Sequence, residues 1–293
     1  MIPRELIALM ERRRLVAEVR TETARQALGV IDALAAGGVT SIEVSLTIPG
    51  APEILSHLAT RTDVTVGAGA VLDTRQATEA ISAGARFISS PILSPEIVPI
   101  CRDANVACVL GALTPTEIIA AQRAGAEMVK LFPAEALGGP MYVRALFRQL
   151  SHMSLQISGG FTPENMAEYL TLPIRTLALG TLLVPRMLVD RGNWQAITNR
   201  ARAFVEFAAN PHANAARFLA MMGIAPRPAP AQAPGAGEPQ MPVANIPTMP
   251  VPPNAVAAAL QSQPPLAAGA SNSGFKPWDS RPVELGDDED WLR

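Results

Sequence analysis

The chain has 293 residues, 48% apolar and 17% charged, which supplies apolar material for a large core in one or two domains. Its formal net charge of -2 gives no electrostatic case for nucleic acid or an anionic membrane as partner, and no apolar run approaches the ~20 residues that span a bilayer. Cys101 and Cys108 lack the spacing of a metal site or disulfide framework, and Met1-Ile2-Pro3-Arg4-Glu5 lacks the apolar core of a signal peptide, so a reduced, cytoplasmic protein is expected.

In chain order, a helix is predicted over 3–13 and a strand over 15–19, closed by Arg20. The next helix opens on the hydroxyls of Thr21 and Thr23 and ends at Gly37-Gly38, where a left-handed turn is needed. A second strand over 41–46 leads through a Pro49-Gly50 turn to a helix near 52–59. Further strands are predicted near 64–67, 87–90, 106–109, from Met128, over 155–158 and over 176–180. They alternate with helices from Thr74, Pro95, Thr114, after Gly138-Gly139 and from Pro163, and a helix over 194–209 closes the series. About eight strands, each trailed by a helix, predict a (β/α)8 TIM barrel over 1–210. The alternative, a doubly wound sheet, asks for a glycine-rich turn after the first strand, and Arg20-Thr21-Glu22 is no such turn.

Barrel enzymes draw their catalytic groups from the C-terminal ends of the strands. In the run Met128-Val129-Lys130-Leu131-Phe132 stands one of only two lysines in a chain that otherwise uses arginine, the other being Lys276. An amine can lose its proton and attack a carbonyl carbon, which a guanidinium cannot, so Lys130 is expected to form a Schiff base. Its apolar flanks are expected to lower its pKa. The competing reading is a lysine that snorkels from a strand end. Glu43, a carboxylate between Ile42 and Val44, is the expected proton-transfer partner, against the alternative of a structural carboxylate paired with Arg20. Arg20 and Thr47 could hold a keto-acid carboxylate. Ser158-Gly159-Gly160 and Gly180-Thr181 follow the last two strands, where paired glycines let backbone N–H groups approach a phosphate. His57, His152 and His212 fall on predicted helices or loops and receive no catalytic role, and no cluster has metal spacing.

Six ordered motifs then carry a resemblance: Val19-Arg20, Gly37-Gly38 with Ile42-Glu43-Val44, Gly67-Ala68-Gly69, Ile88-Ser89-Ser90-Pro91, Lys130-Leu131-Phe132-Pro133-Ala134-Glu135, and Gly159-Gly160. Through about residue 208 the chain resembles the class I 2-keto-3-deoxy-6-phosphogluconate (KDPG) / 4-hydroxy-2-oxoglutarate (KHG) aldolases. The resemblance implies a trimeric (β/α)8 barrel in carbohydrate metabolism, with Lys130 as the Schiff-base lysine and Glu43 shuttling protons through water. Arg20 and the residue at position 70 would meet the substrate carboxylate, and Pro91 and Phe132 would line the pocket. The implied reaction is reversible cleavage to pyruvate and an aldehyde, without metal or organic cofactor.

Three departures stand out. Ala70 replaces a usual threonine, Ile157-Ser158-Gly159-Gly160 replaces Pro-Thr-Gly-Gly, and Arg148-Gln149-Leu150-Ser151 stands where Gly-Pro is expected. Losing one hydrogen bond to a charged group costs about 1.5–3 kcal/mol, enough to lower activity or shift it to another 2-keto acid. These departures also admit an alternative function, a catalytically weakened barrel acting as a scaffold or binding module.

After the barrel, a short helical extension is expected over 211–225, with Asn214 as N-cap. A Pro/Ala-rich linker over 226–273 is expected to be disordered. The acidic segment 274–293 is expected to dock a protein partner through Phe275, Trp278, Trp291 and Leu292, with avidity in a trimer.

Overall fold

In the computed structural model, which describes residues 2–224, the continuously apolar strands pair in parallel in sequence order and close on themselves. They are β1 (Leu15–Val19), β2 (Ser41–Ser45), β3 (Thr65–Gly69), β4 (Phe87–Ser89), β5 (Ala107–Ala112), β6 (Met128–Leu131), β7 (Leu155–Ser158) and β8 (Thr176–Leu179). Helix α1 (Pro3–Arg13) precedes them. Helices α2 (Ala24–Ala36), α3 (Ala51–Leu58), α4 (Thr74–Ser82), α5 (Ile97–Asp103), α6 (Pro115–Ala124), α7 (Gly139–Gln149) and α8 (Pro163–Leu170) follow successive strands. After β8 come α9 (Arg186–Asp190), α10 (Trp194–Ala209) and α11 (Pro211–Met221). The fold is a (β/α)8 barrel.

The helix starts follow from local chemistry. Thr23, Asp73, Thr114 and Thr162 each accept a backbone N–H three residues on, and Pro115 and Pro163 occupy the first helical turn, where a missing N–H costs nothing. At the N-terminal end, Leu6, Ile7 and Met10 of α1 pack with Val16, Phe87, Ala107, Val109, Met128 and Ala178 in a separate apolar cluster that fills the interior there.

Several predicted boundaries move. The third strand, expected near 64–67, runs on through Gly69 as β3. Its glycines provide space, since a Cβ at Gly67 would lie 2.4 Å from the Phe87 ring. β5 extends to Ala112, and a Cβ at Gly111 would lie 2.2 Å from the Pro91 carbonyl carbon. Gly111→Ala is therefore expected to destabilise the barrel by roughly 1–3 kcal/mol or more, read as a lower urea midpoint. Gly37 does more than end a helix, because a Cβ there would meet Ala201 of α10 at 2.4 Å.

Beyond the barrel, α11 starts at Pro211 and is capped by Asn210, whose Oδ1 accepts from Ala213 N at 3.2 Å. Pro211 is preorganised for the first helical position, and the expected cap, Asn214, instead donates to the Glu206 carbonyl at 2.8 Å. Phe218 of α11 stacks on Phe207 and meets Phe204 edge-on, which docks the extension on α10. The expected linker and docking segment, 226–293, lie outside the described residues. Among the described residues no helix is long and apolar enough to cross a membrane.

Candidate active site

A cavity of about 530 Å³ opens at the C-terminal mouth of the barrel. Lys130 reaches it from β6, in register with Gly111 of β5 and Gln156 of β7, while Glu18 of β1 and Glu43 of β2 are register partners on adjacent strands. Lys130 is 4% exposed and Glu43 5%. The lysine Nζ donates to Glu43 Oε1 at 2.8 Å, to Glu43 Oε2 at 2.9 Å and to Glu18 Oε1 at 2.9 Å. Ser158 Oγ donates to the same Glu18 Oε1 at 2.8 Å. Glu43 has room because β3 ends in Gly69, where a Cβ would come within 2.2 Å of Glu43 Oε1.

The partners reverse the expectation for the lysine's pKa. Burial pulls Lys130 down, as its apolar flanks predict, but attraction by Glu43 and Glu18 more than offsets this and leaves it above the ordinary 10.5. Lys130 is thus held as an ammonium at neutral pH. Its stabilising contribution is fully present below pH 10.5 and is lost as pH rises through the higher folded value. Burial pushes the Glu43 carboxyl up, and Lys130 offsets this only in part. A buried ammonium gripped by carboxylates can act as a nucleophile only after handing a proton to one of them.

Most residues singled out from the sequence line this cavity: Arg20, Glu43, Ala70, Pro91, Lys130, Phe132, Ser158, Gly159, Gly160, Gly180 and Thr181. Arg20 is exposed at the rim, and the partner of Glu43 is Lys130. Ala70 adopts a left-handed φ of 58° just past β3. Thr47 lies apart. It is exposed, its hydroxyl is 2.8 Å from Ser45 Oγ, and Ser45 lines the cavity in its place. The sequence reading missed Glu18, although the argument that selects Glu43, a carboxylate in an otherwise apolar strand, applies equally to Leu15-Val16-Ala17-Glu18-Val19.

Glu135, the last residue of the lysine motif, organises the glycine loop. Tyr169 Oη and Asn165 Nδ2 donate to Glu135 Oε2 at 3.0 and 3.1 Å, and Asn165 Nδ2 also reaches the Gly160 carbonyl at 3.1 Å. Gly159 and Gly160 have φ of 87° and 84°, and a Cβ at Gly160 would lie 2.2 Å from that of Glu135, so only glycine fits. Among the described residues no group of three or more His, Cys, Asp or Glu side chains could hold a metal ion.

The family model for KDPG and KHG aldolases matches residues 6–200. The chain belongs to the KDPG and KHG aldolase family. It is a class I aldolase, a carbon–carbon lyase. The 2-dehydro-3-deoxy-phosphogluconate aldolase of Pseudomonas aeruginosa is 36% identical over 180 residues, or 61% of this chain and 82% of that protein. That of Treponema pallidum is 36% identical over 191 residues, or 64% of this chain and 90% of that protein. A solved KDPG aldolase from Legionella pneumophila, with pyruvate captured at low pH as a covalent carbinolamine intermediate, matches with a TM-score of 0.63 and 29% identity over 67% of this chain and 96% of that chain. In this family member, Glu18, Glu43 and Lys130 all fall inside the matched segment, whereas α11 lies beyond it.

Proposed function

We propose that this aldolase reversibly cleaves a KDPG- or KHG-like substrate to pyruvate and an aldehyde, through a Schiff base on Lys130. The observation that carries this reading is a buried lysine Nζ within 2.9 Å of carboxylates on two other strands, at the mouth of a barrel. The carbinolamine trapped with pyruvate in the Legionella relative supports pyruvate as the keto-acid half.

The ammonium passes one proton to a carboxylate, and the freed amine attacks the substrate C2 carbonyl. Loss of water gives an iminium that draws electrons from the C3–C4 bond as the 4-hydroxyl loses its proton. The resulting enamine is protonated at C3, and water releases pyruvate. Glu43 is proposed to take the proton from Lys130 and to deliver one at C3. Arg20 and Ser45 are proposed to hold the substrate carboxylate, with Pro91 and Phe132 as walls. Gly159, Gly160, Gly180 and Thr181 are proposed to receive the distal anionic group. A lysine and a carboxylate both drawn into one cavity argue against a purely scaffolding barrel, which needs neither. Borohydride reduction with pyruvate, followed by peptide mapping, tests the reading, and no added mass on Lys130 would sink it.

The segment 226–293 is proposed as a separable tether that docks a protein partner through Phe275, Trp278, Trp291 and Leu292. A chain ending at residue 225 is expected to cleave substrate at the full-length rate, and loss of activity on truncation would refute separability.

A further inference from the structure

Resting on the Schiff-base reading, we propose that Glu18 is a second catalytic residue: the base that takes the proton of the substrate's 4-hydroxyl as the C3–C4 bond breaks, leaving Glu43 to serve C3. Both carboxylates touch Lys130 Nζ, the atom that carries the substrate in this reading, yet they present different faces to it. Glu43 has both oxygens on Nζ, at 2.8 and 2.9 Å, and is 5% exposed. Glu18 commits only Oε1, shared between Nζ and the Ser158 hydroxyl, and among the described residues Oε2 accepts no hydrogen bond. That oxygen lies 3.7 Å from where a Cβ on Gly180 would sit, and the side chain is 29% exposed at the edge of the cavity. Glu18 therefore keeps one acceptor free on the cavity side, where it can exchange protons with water.

Holding the ammonium charged does not by itself explain this arrangement. Glu18 adds attraction for Lys130, but Glu43 already meets Nζ with both oxygens. A second carboxylate on the same ammonium adds like-charge repulsion and desolvation. The reaction, by contrast, uses proton transfers at two separate atoms, O4 and C3. In the proposed step the Glu18 carboxylate takes the O4 proton, and the O4–H electron pair becomes the second bond of the aldehyde carbonyl. The C3–C4 pair becomes the C2–C3 double bond of the enamine, and the iminium π pair returns to nitrogen. Glu18 then loses the proton to water, Glu43 takes one from water, and C3 receives that proton from Glu43. The substrate's hydroxyl proton is thus exchanged for the new methyl proton of pyruvate, with no net oxidation or reduction.

The two half-reactions separate experimentally. Exchange of the pyruvate methyl hydrogens in D2O, followed by NMR, needs the Schiff base and the C3 transfer but no base at O4. Cleavage of 4-hydroxy-2-oxoglutarate, and condensation of pyruvate with glyoxylate or glyceraldehyde 3-phosphate, need all three. Glu18→Gln is expected to slow cleavage and condensation by about 10²-fold or more while leaving the borohydride adduct and methyl exchange within about fivefold of wild type. Glu43→Gln should lose exchange and cleavage together. Glu18→Val, checked for fold by circular dichroism, repeats the measurement without the amide. Exchange and cleavage falling in parallel in both Glu18 variants would show that Glu18 only positions or charges Lys130, and unchanged cleavage would show that it does nothing. Either result overturns the proposal. If wild type traps no pyruvate, the aldolase reading itself fails and takes the proposal with it, whereas a trapped adduct with the wrong Glu18 result removes the proposal alone.

Discussion

Lys130→Arg is expected to abolish borohydride trapping of pyruvate and to reduce aldol cleavage by roughly 10⁴-fold or more, to the level left by binding and the remaining carboxylates. Arginine is the informative replacement because its guanidinium keeps a cation facing Glu18 and Glu43 yet cannot be deprotonated in a protein. It removes the nucleophile while limiting electrostatic damage. Lys130→Met removes the cation as well, leaving Glu43 buried beside Glu18 without its partner, and breaking a buried ion pair in this way costs roughly 3–5 kcal/mol. The pair of variants therefore separates chemistry from folding: the Arg variant is expected to unfold near the wild-type urea midpoint but be inactive, the Met variant to be inactive and less stable. Peptide mapping of the wild-type adduct is simple, because Lys276 is the only other lysine in the chain. An adduct that persists in Lys130→Arg would place the Schiff base elsewhere and overturn the assignment.

The barrel was legible because its signal is local. Each strand is a short apolar run, each helix start carries its own hydroxyl or proline, and the alternation repeats eight times. Lys130 and Glu43 were legible for a related reason, as each is a charged residue inside an apolar strand. What joins them was not. The lysine meets Glu43 across a sequence separation of 87 residues and Glu18 across 112, so a reading limited to its flanks sees only desolvation and predicts a lowered pKa. Closing the barrel supplies the carboxylates and reverses the sign.

Glu18 is less visible in the sequence than Arg20, which stands just past the end of β1. Interior positions alternate, so the side chain aimed at the site comes two residues earlier. The same period moves the cavity-lining role from Thr47 to Ser45 on β2. The third strand was expected to stop near Gly67 because glycine is depleted in strands, and only the packed interior shows that Gly67 and Gly69 make room for Phe87 and Glu43.

Those two glycines give the second large effect. Gly69→Ala is expected to slow both methyl exchange and cleavage by about 10²-fold or more, although position 69 contributes no functional group. The added Cβ would stand 2.2 Å from Glu43 Oε1, 2.5 Å from its Cγ and 2.6 Å from its Cδ. Position 69 is fixed in the closed sheet by its register with Ser45, so the side chain of Glu43 has to move, and its two hydrogen bonds to Lys130 Nζ move with it. The overpacking itself costs roughly 1–3 kcal/mol. Gly67→Ala is the matched control. Its Cβ would meet the Phe87 ring at 2.4 Å, in the apolar cluster that α1 closes, so a comparable loss of stability should leave the carboxylates in place. Urea midpoints that fall alike in the two variants, with activity lost only in Gly69→Ala, would show that β3 controls the chemistry by reserving the volume Glu43 occupies. Equal activity in both would mean that the contact between Glu43 and Lys130 is not required for turnover.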